Sequence, residues 1–240
     1  MGPFQVTPAG DAAVLLEFGS LIDESVNGEV QRLAQALLST PPKGMVGVIP
    51  AYTTLLIEFD PLVTSVDAVI EAARAQSKLA ADGPGRRFLV PTCYGGSYGP
   101  DLEEVAHHLG LTPESVVERH ASLDFRVFCL GFSPGFPLCG ILPPDLAIAR
   151  RTAPRPKVPA GSVGLAGRQT GIYPATSPGG WRLIGRTPVP LFDVGKDPPV
   201  PFRPGDRLRF VPIGEDRYAH LAEAAADGDL ELEEAPDGQG

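Results

Sequence analysis

Seven basic residues, Arg150, Arg151, Arg155, Lys157, Arg168, Arg182 and Arg186, lie between Asp145 and Asp193 with no aspartate or glutamate among them. Glycine and proline crowd the same region, making up 21 of residues 131–190 against 34 of the other 180. Glycine lets a backbone approach a ligand closely and proline fixes φ. Segments 131–137, 154–164, 167–174 and 177–182 therefore read as rigid loops whose N–H groups and arginines suit an anion. Tight corners of a small barrel are the alternative reading of the same residues. Arg155 and Arg186 are the candidates for bidentate contact with a carboxylate or phosphate. His120, the histidine closest in sequence to these loops, is either an acid/base group or a cap on the helix that it ends. Trp181 reads as a core anchor or a ligand platform, and Cys139, among apolar neighbours, as a packed thiol.

Several chemistries are absent from the sequence. There is no GxxxxGK[ST] phosphate loop, no dinucleotide fingerprint, no GxSxG elbow and no HExxH or Cys/His cluster, so no metal site is expected. With 20 Lys and Arg against 29 Asp and Glu, a net charge of −9 argues against a nucleic-acid binder. No apolar run reaches the roughly 18 residues of a membrane span, and the chain reads as cytoplasmic and not membrane-bound. Its three cysteines form no CxxC pair, which suits a reducing compartment.

The elements that must position these residues fall into two parts. Residues 1–84 read as β-α-β-β-α: a strand at 13–18, a helix at 23–38 capped by Asp23, strands at 45–49 and 53–59, and a helix running from Thr64 or Ser65 to about 79. A strand at 87–90 would close a ferredoxin-like sheet, after a linker at 82–85. Residues 85–212 read as two short helices, 101–109 and 113–121, followed by short strands at 125–130, 162–166, 181–184 and 207–211 in the manner of a small barrel. Residues 213–240 hold nine acidic residues and one arginine and read as an acidic C-terminal tail, with an Ala-rich patch from Ala219 onward suited to one helical turn or more. The fold class is thus α+β.

The runs GFSPGFP (131–137), PRPKVPAGSVGLAGRQTGIYP (154–174), SPGGW (177–181) and IGRTP (184–188) resemble the family of the 5-oxoprolinase B subunit, also called KipI or allophanate hydrolase subunit 1. CYGGSYGPDLEEVA (93–106) and, more weakly, GDAAVLLEF (10–18) extend the likeness over nearly the whole chain. The resemblance implies an N-terminal ferredoxin-like α/β sandwich followed by a C-terminal cyclophilin-like β-barrel. It also implies two partners, a KipA-like C subunit (allophanate hydrolase subunit 2) and a LamB/YcsF-like A subunit. Together such chains open 5-oxo-L-proline to L-glutamate. ATP with magnesium is used by such a complex; none is expected to be held tightly by this chain, and the chain is not expected to act alone. Two other roles occur among similar proteins: inhibition of a sensor histidine kinase, and the carboxyltransferase part of the urea/allophanate pathway.

Carried onto matching positions, the resemblance makes His120, Arg155 and Gln169 the catalytic candidates. Arg155 or Arg186 would hold a carboxylate or phosphoryl group, and Gln169, Thr170 and Tyr173 would position a lactam ring. Backbone N–H groups of Gly135, Gly161 and Gly179 would donate to oxyanions, with Pro134, Ser162, Ser177 and Gly180 completing the substrate loops. Relatives commonly read GFPYLGGLP where residues 135–143 are GFPLCGILP, so Leu138 and Ile141 depart from the pattern.

Overall fold

Asp23 starts the first helix because its side chain accepts from the backbone N–H groups of Ser25 and Val26, satisfying donors that a helix start leaves free. The computed structural model describes residues 4–77 and 85–235, and the chain forms two compact units, Met1–Pro84 and Gly85–Gly240. In the first, β1 (Gln5–Pro8), β2 (Ala13–Glu17), α1 (Glu24–Ser39), β3 (Met45–Pro50), β4 (Thr54–Phe59) and α2 (Val66–Gln76) build an antiparallel sheet in the order β1-β2-β4-β3. Alternation puts Val14 and Leu16 of β2 and Leu55, Ile57 and Phe59 of β4 on the face that meets Val30, Leu33, Ala34 and Leu37 of α1. Val69 and Ala73 of α2 join the same core.

One expectation about this sheet is corrected. Residues 87–90 do not close it; the edge beside β2 is taken by β1, so the ferredoxin-like order is met by a strand that precedes the first helix. The sequence of β1, QVTP, is almost wholly exposed and shows no apolar alternation, so it carries no strand signal. Ser65 caps α2 through a bond from Ala68 N–H and Ser77 ends it; the expected extension to about 79, like residues 82–84 of the expected linker, lies outside the described residues.

The second unit runs β5 (Arg87–Tyr94), α3 (Leu102–Leu109), α4 (Pro113–Ala121), β6 (Phe125–Leu130), β7 (Pro137–Gly140), a 3-10 turn (Pro144–Leu146), β8 (Arg155–Val158), β9 (Ser162–Ala166), β10 (Gln169–Ile172), β11 (Ser177–Gly179), β12 (Arg182–Arg186), β13 (Arg207–Pro212), α5 (Glu215–Asp227) and β14 (Glu234–Ala235). Seven strands pair in the order β12-β9-β10-β7-β6-β13-β5, and β12 pairs back onto β5, closing a barrel. Val90, Val127, Val163, Leu165, Ile172, Ile184 and Phe210 belong to the core it encloses. A second cluster, Phe136, Val158, Ala166, Tyr173, Trp181 and Leu183, packs beneath the two-stranded ribbon β8–β11.

Three strands, β8, β10 and β11, occupy segments expected to be loops, and β7 starts at the last residue of another. Their glycines serve close packing, not only turning: a Cβ on Gly171 would stand 2.7 Å from the Pro137 carbonyl and 2.8 Å from the Phe136 ring. Residues 213–235 also differ from the expected tail. Gly214 precedes α5, Gly228 ends it in the left-handed conformation (φ 84°), and Leu230 and Leu232 pack on the barrel core while β14 pairs with β5. Charge dominates the composition there and hides the few apolar anchors.

Candidate functional site

His120 sits on α4 with no exposed surface, stacked against Phe125 and Phe210 at centroid distances of 4.9 and 4.6 Å. Its Nδ1 is 2.8 Å from the Tyr94 hydroxyl and its Nε2 2.9 Å from the Thr170 hydroxyl. Burial pushes the imidazole down to about 3 and the Tyr94 phenol upward. A neutral ring with both nitrogens engaged inside an apolar core acts as a polar tether between α4 and the barrel strands β5 and β10. Thr170, expected to face a substrate ring, is buried in this same tether.

Arg155 is engaged by a carboxylate of the chain itself. Its guanidinium forks onto Asp101, with Nη1 2.9 Å from Oδ2. Asp101, 2% exposed just before α3, also takes Arg151 at 3.3 Å and the Leu183 N–H at 2.7 Å. Glu104, one turn on, pairs with Arg182 and stands 3.7 Å from Arg151, while Asp145 pairs with Arg119. The basic segment is thus free of carboxylates in sequence and not in space, because the start of α3 delivers two of them from some fifty residues upstream.

The remaining candidates are spread over the barrel wall. Pro134 and Gly135 lie in the turn before β7, where Gly135 has φ 79° and its Cβ position abuts the Leu191 carbonyl at 2.3 Å. Gln169 opens β10 opposite Gly140 and Ala166. Ser177 and Gly179 are on the ribbon strand β11; Gly180 follows and accepts from Arg151 N–H. Gly179 leaves room for the Tyr173 hydroxyl, 2.3 Å from where a Cβ would be. Gly161 does not offer its N–H to a ligand, since that group donates to the Tyr173 carbonyl at 2.7 Å.

One row does gather several candidates. Tyr173 N–H donates to the Ser162 carbonyl, Ser162 faces Arg186 across β9–β12, and Arg186 faces Cys93 across β12–β5. Directly opposed residues of adjacent strands share a face, so the Ser162, Arg186 and Cys93 side chains stand side by side on the wall. Gly161 (φ 78°) brings its backbone against the Arg186 stem, and the Arg186 guanidinium carbon lies 5.8 Å from the Tyr98 ring centre. Tyr98 in turn meets Tyr218 of α5 at 4.6 Å; burial pushes the Tyr218 phenol up, and the neighbouring Arg186 opposes that shift. Cys93 and Tyr98 lie in the run 93–106 that carries the family resemblance, without a role read for either, and Tyr218 falls in the segment expected to be a tail. Asp101 reads in sequence only as a helix start.

Residues 4–202 match the model of the carboxyltransferase domain, subdomain C and D. The chain belongs to that family. It is 41% identical over 228 residues to the 5-oxoprolinase B subunit of Bacillus subtilis (strain 168), covering 90% of this chain and 95% of that protein. Against the 5-oxoprolinase B subunit of Escherichia coli O157:H7 it is 44% identical over 208 residues, 86% and 94% of the two chains. Among solved structures, TTHA0988 superposes with a TM-score of 0.76 at 40% identity over 84% of this chain, which spans only 40% of TTHA0988. Among the described residues no helix is long and apolar enough to cross a membrane.

Proposed function

We propose that this chain is the B subunit of an ATP-dependent 5-oxoprolinase, a cytoplasmic complex that hydrolyses 5-oxo-L-proline to L-glutamate. The observation that carries the reading is the match over nearly the full length of both partners to two proteins named as that subunit. The carboxyltransferase role in the urea pathway and the kinase-inhibitor role have no comparable support. A KipA-like C subunit and a LamB/YcsF-like A subunit are the proposed partners. Among the described residues no group of three or more His, Cys, Asp or Glu side chains is placed to hold a metal ion. ATP with magnesium is the proposed co-substrate of the complex. A five-membered amide is a weak electrophile and the substrate is an anion, so this chain's part is to hold and orient it through cationic and backbone groups.

Co-expression of the three proteins and measurement of glutamate release from 5-oxoproline tests this. Release that needs ATP and all three chains is the expected result. A native pull-down that brings down a sensor histidine kinase and no KipA-like chain, with no glutamate release, overturns it.

A further inference from the structure

Among the described residues of the second unit, four buried side-chain polar atoms have no hydrogen-bond partner: Arg151 Nε, Ser162 Oγ, Ser177 Oγ and Arg186 Nε. Buried polar groups are nearly always paired, so each orphan asks for an explanation. Two of them, Ser162 Oγ and Arg186 Nε, belong to residues directly opposed across β9–β12. Ser162 has no exposed surface at all. A hydroxyl and a guanidinium Nε–H side by side, both donors, match the two oxygens of one carboxylate.

The surroundings narrow the ligand. Tyr98 stands over the guanidinium and meets Tyr218 at 4.6 Å, and the Tyr218 hydroxyl takes a hydrogen bond from Arg186, so the two rings flank the charged group while its Nε edge stays unpaired. Glu215, on the first turn of α5, acts electrostatically on Cys93 in the same row. A negative group there tolerates a singly charged ligand better than a doubly charged phosphate. The cover is lightly held: α5 buries none of its residues, the condition for an element that opens at little expense.

We propose that Ser162 and Arg186, beneath Tyr98 and Tyr218, bind the carboxylate of a small ring-shaped acid, and that α5 is the cover through which it enters. The choice of 5-oxo-L-proline as that acid rests on the proposed function. Arg186 recognises the anion, Ser162 adds the second donor, and the tyrosine rings select a flat, compact body over an extended one. Arg155 is excluded from this role by Asp101, which occupies the edge a substrate would need.

The test uses the full chain and the reconstituted complex. Calorimetric titration of the chain compares 5-oxo-L-proline, 2-pyrrolidinone (the same ring without the carboxylate) and inorganic phosphate, while the complex gives KM and kcat. Expected are binding of 5-oxo-L-proline and at least roughly tenfold weaker binding of 2-pyrrolidinone and phosphate. Arg186→Lys, which keeps charge and loses the Nε edge, raises Kd and KM about tenfold with kcat little changed. Ser162→Ala raises both about threefold to tenfold while its thermal midpoint holds or rises, because it deletes a hydroxyl that nothing in the fold satisfies. Glutamate release with an unchanged KM in both variants sinks the site and leaves the functional reading standing. Carboxylate binding that depends on Arg186 and Ser162 without glutamate release keeps the site and sinks the reading. Equal affinity for 2-pyrrolidinone also overturns the carboxylate assignment.

Discussion

Arg155 and Arg186 lie in the same basic, glycine-rich stretch, and sequence alone gives them equal standing as anion ligands. Arg155 is closed: its fork is taken by a carboxylate that also binds Arg151 and the Leu183 N–H. Arg186 is left beside an unpartnered serine hydroxyl under two tyrosines. Local charge counts the residues nearby in sequence, whereas the field at a side chain is set by whatever the fold brings against it. Here the helix α3 neutralises one half of the basic segment and leaves the other. The first region holds the ribbon to the barrel; the second is the one we propose for recognition.

The sharpest way to break this contrast is Asp101→Ala. It strands two partly buried arginines and a buried N–H, so we expect a loss of about 3–5 kcal/mol in denaturant unfolding. Arg186→Ala should alter the same measurement by less than ~1 kcal/mol. Comparable losses in the two variants would erase the distinction between a structural and a recognition arginine.

A smaller effect separates the buried histidine from both. His120 has a folded-state value of about 3 against 6.5 unperturbed, so between these values the unfolded chain takes up a proton that the native chain refuses. Stability is whole above about pH 6.5 and falls as pH drops toward 3, by ~2 kcal/mol at pH 5. Unfolding midpoints at pH 7 and pH 5 for the wild type and His120→Gln check it: the variant should lack that part of the slope. A slope identical in both would place the imidazole in contact with solvent.

Next comes Gly161→Ala, which sets a Cβ 2.2 Å from the Thr187 carbonyl at a φ of 78°. A loss of about 1–3 kcal/mol is expected, along with weaker carboxylate binding through displacement of the Arg186 stem. Smallest is Lys157→Ala, on the exposed ribbon, which should leave stability within ~0.5 kcal/mol and binding unchanged.

Elements with strong apolar period and a cap are readable in the sequence. Asp23, Ser65 and Thr112 open their helices, and β4, β6 and β9 lie within a residue of the strands expected there. What is hidden has a common cause. The strands β7, β8, β10 and β11 are short and carry the glycines and prolines that ordinarily mark turns, and only the closeness of Phe136, Pro137 and Tyr173 shows why glycine is needed. The row of Ser162, Arg186 and Cys93 depends on register between three strands distant in sequence, which no local pattern encodes. Likewise His120 is near the loops in sequence, while the hydrogen bonds to Tyr94 and Thr170 draw it inside the barrel.

The pairing of β5 with β13 also sets an order of events during synthesis. All six elements of the first unit lie within residues 5–76, so that sheet can form as soon as they leave the ribosome. The barrel cannot: its opening strand β5 waits for β12 and β13, and the ion pair of Arg86 with Asp206 joins residues 120 positions apart. Such distant pairing folds slowly, and until it is complete β5 presents an apolar, unpaired edge to other chains. The nascent protein is therefore most exposed to aggregation in the interval between emergence of residue 94 and of residue 212.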